Sequence, residues 1–347
     1  MTIRLPDILR LKKLVKQKPK NLLYFFSAIA LMILLSSGVN IPGLADTNTM
    51  AITPQSALTV YQVPPQLTDN RIDNWIEDHY VAINHSVPAK NKLFIFFAAT
   101  TGLPTNYKLL VQQAANNGYH AIGLRYPNTN TVGDLCAESS DPDCFEKVRV
   151  EILLGVDRAT QISISRPNSI QNRLVKLLLY LNSQHPNEGW LNYLNGNAPK
   201  WSSLVVAGHS QGGGEAALIA KKHQVARVVM FAAPVDYSNT LMGFAPWLSA
   251  PHATLTENYY GFVHVNDLYA EAVITVWGLL GMNIYGESVL VDGELPPYNQ
   301  SHQLMTAKTP TATGQNSYHS SVAVDGFTPM LSNGTPVFQD AWQYLCF

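Results

Sequence analysis

The strongest constraint on this chain is a short stretch in which a buried strand turns abruptly into a helix. Residues 203–207 form an apolar run typical of a buried strand, and a helical pattern extends from Gln211 to about His223. Between them stands Gly208-His209-Ser210-Gln211-Gly212, which matches the Gly-x-Ser-x-Gly pattern of a nucleophile elbow. The alternative is an ordinary glycine-rich turn. The strand before the pattern and the helix after it favour the elbow, with Ser210 as a nucleophile.

Elsewhere in the chain, apolar runs of strand length alternate with helical patterns. The clearest helix spans Asn168–Gln184, where Asn168 or Ser169 is expected to cap its start. This alternation predicts an α/β protein with a mostly parallel central sheet and helices on both faces. Further strands are predicted at Lys92–Ala98, His120–Tyr126, Ala226–Ala233, Tyr259–Val265 and His302–Ala307.

This order of elements and the elbow together resemble the α/β-hydrolase fold over about residues 90–345. Within that superfamily the chain is similar to a group of exported bacterial lipase- or esterase-like hydrolases. The similarity rests on the run 208–215, on Asn266-Asp267 and on Tyr318-His319. It implies cleavage of a carboxylic ester through an acyl-enzyme, with the acid and then the histidine following the nucleophile along the chain.

Two aspartates follow predicted strands beyond the elbow. Asp267 ends the strand Tyr259–Val265 and is the expected orienting acid, although it could simply cap the next helix. Asp236, which follows the strand Ala226–Ala233 and Pro234, is the alternative acid, and it could simply hold a turn.

Three histidines downstream of the elbow are candidates for the general base. His319 lies in a loop among small polar residues near the end of the chain and is the expected base. His302 lies inside a predicted strand, and His252 precedes Asp267, which breaks the expected order. His209, within the elbow itself, is expected to shape or line the pocket.

Acyl transfer also requires N–H donors for the developing oxyanion. The backbone N–H of Gln211 is the first expected donor. The second is expected in the loop Ala99–Gly102, at Thr101, unless this loop is an ordinary turn between strand and helix.

The amino terminus differs from the rest of the chain. Seven Lys and Arg residues between Arg4 and Lys20 precede an uncharged apolar run from Leu22 to Leu35. Residues 1–45 are therefore predicted to be a signal peptide or an N-terminal membrane anchor. Residues 46–90 are predicted to be a linker or lead-in, and residues 91–347 the hydrolase domain. The protein is accordingly expected to be exported, to the periplasm or beyond the cell.

The three cysteines agree with export. Cys136 and Cys144 bracket an acidic loop, and a disulfide between them would stabilise the fold by roughly 2–3 kcal/mol. Two free buried thiols are the alternative. Cys346 has no partner left and is expected to be free.

Charge and composition limit the remaining function classes. Charged residues make up 14% of the chain and the net charge is -1, so a nucleic-acid partner is not expected. No metal-ligand spacing is evident, and the expected chemistry needs no cofactor. The expected partner is a small-molecule or lipid ester. A non-catalytic binding protein and an acyltransferase on the same scaffold are the competing hypotheses.

Overall fold

Apolar strands at the centre of the molecule form the sheet on which the fold is built. In the computed structural model, which describes residues 58–347, Leu93–Phe97 and Leu204–His209 pair in parallel and are buried along their whole length. Strands that are apolar on both faces have no side suited to water, so helices must cover the sheet above and below.

The main sheet described within residues 58–347 has nine strands. They are β1 (Leu58–Val63), β2 (His79–Asn84), β3 (Leu93–Phe97), β4 (His120–Leu124), β5 (Leu204–His209), β6 (Arg227–Phe231), β7 (Tyr259–His264), β8 (Val289–Leu290) and β9 (Gln303–Thr306). Their order across the sheet is β1-β2-β4-β3-β5-β6-β7-β9-β8. Strand β2 is antiparallel to both of its neighbours, and all other neighbouring pairs are parallel. This is the mostly parallel sheet of the α/β-hydrolase fold, as predicted.

Helices cover this sheet. The helices are α1 (Pro65–Thr68), α2 (Lys108–Asn116), α3 (Val132–Cys136), α4 (Cys144–Leu154), α5 (Ile170–Gln184), α6 (Gln211–Lys222), α7 (Ala270–Leu279), α8 (Ser317–Ser321) and α9 (Gln339–Cys346). Helix α2 packs on β2, β3 and β4, whereas α6 packs on β5 and β6. Because crossovers between parallel strands are right-handed, α2 and α6 lie on opposite faces of the sheet. The hydroxyl of Ser169 caps α5 by accepting a hydrogen bond from the N–H of Asn172, as expected.

The sheet begins earlier in the chain than the sequence indicates. Residues 46–90 are predicted to be a linker or lead-in, yet β1 and β2 form a full antiparallel pair, from Leu58 opposite Asn84 to Val63 opposite His79. Residues 58–90 therefore belong to the same compact unit as the rest of the domain. Prolines and polar turn residues between β1 and β2 interrupt the apolar pattern, so the sequence alone does not reveal these two outer strands.

The predicted signal peptide or anchor, residues 1–45, lies outside the described residues, as does the first part of the lead-in. Within residues 58–347, no helix is both long enough and apolar enough to cross a bilayer.

The predicted disulfide is confirmed. Cys136 at the end of α3 is bonded to Cys144 at the start of α4, with the two Cα atoms 5.6 Å apart. The loop that it closes receives a hydrogen bond from the backbone N–H of Asn239 to the carbonyl of Ala137, at 2.8 Å. Cys346 is free and buried, as expected.

Candidate active site

The direction in which successive strands are added to the sheet reverses between β3 and β5. The crossover after β3 leads outward to β4, and the crossover after β5 leads the opposite way to β6. At such a point the loops after two neighbouring parallel strands separate and open a crevice at the carboxyl edge of the sheet. The loop that follows β3 and the turn at Ser210 both lie at this edge.

The turn at Ser210 has the backbone of a nucleophile elbow. Ser210 adopts φ 55° and ψ −120°, a conformation that is strained for any residue with a side chain. Its N–H donates to the carbonyl of Phe231 at 2.9 Å, which ties the turn to β6. A Cβ atom at Gly208 would lie 2.2 Å from the carbonyl oxygen of Gly212, and a Cβ atom at Gly212 would lie 2.2 Å from the carbonyl oxygen of Phe97, so both positions require glycine. Ser210 itself is partly exposed at the crevice.

The structure brings Asp267 and His319 together. Asp267 follows β7, and His319 lies in the short helix α8. Nδ1 of His319 lies 2.8 Å from Oδ2 of Asp267, whose side chain is completely buried. The other carboxylate oxygen accepts a hydrogen bond from the N–H of Tyr269 at 3.0 Å. Both oxygens of this aspartate are therefore held, and the imidazole is oriented by one of them.

This pair lies directly beside the elbow. The carbonyl oxygen of His319 is 2.9 Å from Nε2 of His209, the residue before Ser210. The two imidazole rings are also in contact, with centroids 4.8 Å apart. Within residues 58–347, no hydrogen bond joins the Ser210 hydroxyl to His319. Such contacts are often long in the absence of substrate.

Asp236, the alternative acid, is engaged elsewhere. Its two carboxylate oxygens accept hydrogen bonds from Nη2 and Nε of Arg149 at 2.7 and 2.8 Å, and the indole N–H of Trp247 donates to it at 2.9 Å. It is therefore committed to a buried ion pair, and among residues 58–347 no hydrogen bond joins its carboxylate to a candidate histidine.

The two other downstream histidines also lie away from the elbow. His302 precedes β9, at the amino edge of the sheet, where its ring is stacked between Tyr260 and Tyr285. His252 packs against the ring of Tyr259, at the amino end of β7. Neither is close to the carboxyl edge at which Ser210 lies.

Gln211 meets the requirement for an N–H donor. It is the first residue of α6, so its N–H has no acceptor within the helix, and no other acceptor is found for it among the described residues. The side chain of Gln211 is bound by the loop after β3, because its Oε1 accepts a hydrogen bond from the Thr100 hydroxyl at 2.7 Å.

Thr101 does not meet the same requirement. Its N–H donates to the carbonyl of Asn128 at 2.8 Å, and its φ of 58° directs the backbone into this contact. The N–H groups of Ala99 and Gly102 are also bonded, to the Tyr107 hydroxyl and to the carbonyl of Ala99. Among the N–H groups of residues 99–102, that of Thr100 is the one left without an acceptor. The free N–H of this loop therefore belongs to Thr100, the residue before the predicted donor Thr101.

A buried ionic cluster under the elbow is absent from the sequence prediction. Arg149, in α4, donates to Asp236, to Oε1 of Glu215 at 2.9 Å and to the carbonyl of Gln211 at 3.2 Å. The guanidinium group therefore stabilises the first turns of α6 through these hydrogen bonds. An arginine beside Val148 on a largely apolar helix is the sequence signal that could have revealed it.

Within this cluster, two carboxylates share one guanidinium group. Asp236 takes two of the hydrogen bonds from Arg149, whereas Glu215 takes one, and its second oxygen has no partner. Burial raises the pKa of Glu215 to about 8, and Arg149 only partly opposes this effect. Glu215 therefore keeps its proton at neutral pH.

Among residues 58–347, no group of three or more His, Cys, Asp or Glu side chains is arranged to hold a metal ion.

No model of a known protein family and no curated protein sequence matches the chain. Among solved structures, a proposed dienelactone hydrolase from Klebsiella pneumoniae subsp. pneumoniae is similar with a TM-score of 0.36 and 10% sequence identity. The alignment covers 82% of this chain and 95% of that chain.

The protonated state of Glu215 has a measurable consequence. Its pKa is about 8 in the folded state against an ordinary value of 4.5, so the unfolded chain releases a proton that the folded chain retains. Stability is therefore lost as the pH rises through this window. The Glu215→Gln variant has no such proton and should not lose stability in this way. Its free energy of unfolding should therefore rise relative to that of the wild type by on the order of 1 kcal/mol per pH unit between about pH 5 and 8.

Urea unfolding at several pH values measures this difference. The Glu257→Gln variant, which changes an exposed side chain, is the control. Its free energy of unfolding should change with pH in the same way as that of the wild type. A parallel curve for Glu215→Gln as well would contradict the assignment of a retained proton.

Proposed function

We propose that this chain is a serine hydrolase that cleaves a carboxylic ester. In this proposal Ser210 is the nucleophile, His319 the general base and Asp267 the carboxylate that orients the base. The observation that carries it is the 2.8 Å hydrogen bond between His319 and Asp267, two residues far apart in the chain that meet beside a strained serine turn. A histidine–aspartate pair alone occurs for structural reasons in many proteins, and it is its position at the elbow that favours catalysis.

The hydrogen bond to Asp267 determines which nitrogen of the base is free. A carboxylate only accepts hydrogen bonds, so Nδ1 of His319 carries the hydrogen and Nε2 has a free lone pair. In the proposed mechanism, Nε2 takes the proton of the Ser210 hydroxyl as its oxygen attacks the ester carbonyl. Asp267 then stabilises the imidazolium that forms, and the proton passes to the leaving alkoxide.

The oxyanion that develops in this step needs donors that are already in position. We assign them to the backbone N–H groups of Gln211 and Thr100, each of which is expected to stabilise the transition state by about 3–4 kcal/mol. The hydrogen bond from the Thr100 hydroxyl to the Gln211 side chain supports this pairing, because it holds the two donor segments together. Water then attacks the acyl-enzyme, with His319 again as the base.

The proposed substrate is a small-molecule or lipid ester with an apolar part. The turn after Asp267 supports this, because Leu268 is 87% exposed and Tyr269 is 46% exposed next to the base. The Tyr269 ring meets the His319 ring edge-on at a centroid distance of 5.6 Å. Exposed apolar side chains at this position are suited to contact an acyl chain or an apolar alcohol.

We further propose that the protein is exported, with its basic and apolar amino terminus serving as a signal peptide or a membrane attachment. The disulfide between Cys136 and Cys144 supports export, since such bonds persist in oxidising compartments.

A fluorophosphonate probe tests the proposed nucleophile. The probe should label the purified protein at a single serine and abolish hydrolysis of p-nitrophenyl butyrate, because it reacts only with an activated hydroxyl. Labelling should be absent from Ser210→Ala. It should persist in Ser203→Ala, which changes a partly exposed serine at the opposite end of β5. A wild-type protein that resists the probe would favour the non-catalytic alternative, and a labelled Ser210→Ala would refute the assignment.

Substitution of the two candidate acids separates their roles. Asp267→Asn should lower kcat by roughly 10³–10⁴-fold without a large loss of stability, because the imidazole loses the partner that sets its tautomer. Asp236→Asn should lower the thermal unfolding midpoint, because it removes a charge from the buried pair with Arg149, and should leave kcat of the folded protein close to wild type. The reverse pattern would transfer the role of acid to Asp236.

A further inference from the structure

His209, the residue before the nucleophile, is almost completely buried and makes two hydrogen bonds. Its Nδ1 lies 3.0 Å from the hydroxyl of Tyr107, and its Nε2 lies 2.9 Å from the carbonyl oxygen of His319. A carbonyl only accepts, so Nε2 carries the hydrogen. Nδ1 is then an acceptor, and the Tyr107 hydroxyl donates to it.

The environment of this ring maintains that arrangement. Burial, together with the smaller effect of the neighbouring His319, lowers the pKa of His209 to about 3. The ring is therefore neutral throughout the physiological range, with one hydrogen that the His319 carbonyl keeps on Nε2. Its two hydrogen bonds have fixed directions.

Tyr107 extends these bonds to the loop after β3. Its buried hydroxyl accepts a hydrogen bond from the N–H of Ala99 at 3.0 Å, directly before Thr100. The chain of hydrogen bonds thus runs from the Ala99 N–H to the Tyr107 hydroxyl, on to His209, and from His209 to the backbone of His319. It links the two sides of the crevice without passing through solvent.

We propose that Tyr107 and His209 are positioning residues that hold the loop of Thr100 and the backbone of His319 at a fixed separation across the nucleophile. This inference rests on the proposed function, because it is in ester cleavage that Thr100 and His319 would have to act on the same carbonyl group. Reactive groups misplaced by about 1 Å can lower a rate 10²-fold, so the effect is expected on turnover.

A second hydrogen-bonded tyrosine and histidine elsewhere in the protein match Tyr107 and His209 but have no link to the crevice. Nδ1 of His120 lies 2.8 Å from the hydroxyl of Tyr193, and Nε2 lies 2.7 Å from the carbonyl oxygen of Glu188. His120 is the first residue of β4, at the amino edge of the sheet, opposite the edge of Ser210. The pair has the same tyrosine–histidine–carbonyl chemistry in a comparably buried place, and therefore controls for the purely structural cost of breaking it.

The test compares His209→Leu, His209→Gln and Tyr107→Phe with His120→Leu, His120→Gln and Tyr193→Phe. For each purified variant, kcat and KM for p-nitrophenyl butyrate are measured together with the thermal unfolding midpoint. His209→Leu should lower kcat by about 10²-fold with little change in KM, and Tyr107→Phe should lower it about tenfold. His209→Gln should recover part of the loss, because its amide nitrogen can still donate to the His319 carbonyl.

The control variants should lose stability to a similar extent while kcat of the folded protein stays close to wild type. Wild-type kcat in His209→Gln and Tyr107→Phe, or an equal fall of kcat in the His120 and Tyr193 variants, would overturn the inference. If His209→Leu does not fold, the other two variants decide. A wild-type protein without Ser210-dependent hydrolysis would instead refute the proposed function itself, so the two failures are distinguishable.

Discussion

The close approach of helix α6 to the end of strand β3 is the contact on which the rest of the site depends. A Cβ atom at Gly212 would lie 2.2 Å from the carbonyl oxygen of Phe97, so only glycine permits this approach. It brings the free N–H of Gln211, at the start of α6, next to the loop that follows β3. The hydroxyl of Thr100 in that loop then reaches the Gln211 side chain.

Buried polar groups hold the segments around this contact. Below α6, Arg149 bonds the carbonyl of Gln211, and beside it His209 bonds the carbonyl of His319. The segment after His319 is held as well, because the carboxylate of Asp325 accepts hydrogen bonds from the N–H groups of Lys108 and Leu109 at the start of α2, at 2.8 and 3.2 Å. A buried polar group left unpaired costs about 1–3 kcal/mol, so each pair favours one arrangement of these segments over others.

Much of this arrangement is predictable from local sequence. The periodicity of apolar residues predicts the inner strands and the elbow, and the order expected after the elbow makes Asp267 and His319 candidates, with Asp236 and His302 as alternatives. Thr100 and Thr101 are residues of the same type, so the sequence does not indicate which of them has the free N–H group. The backbone dihedral angles of the loop decide this. The ion pairs of Arg149 join residues distant in sequence and leave no periodic signal. Strands β1 and β2 are not predicted for a related reason, since their pairing with each other and with the rest of the sheet joins residues distant in sequence.

The most direct measurement of the central claim is a crystal structure of the protein after reaction with an alkyl fluorophosphonate. In the proposed mechanism, one serine, one imidazole and two N–H groups converge on a single reacting centre. Phosphorus should be bonded to Oγ of Ser210, with its oxygen about 3 Å from the backbone nitrogens of Thr100 and Gln211 and with Nε2 of His319 in contact with the adduct. Phosphorus on another residue, or an oxygen directed away from both nitrogens, would contradict the account.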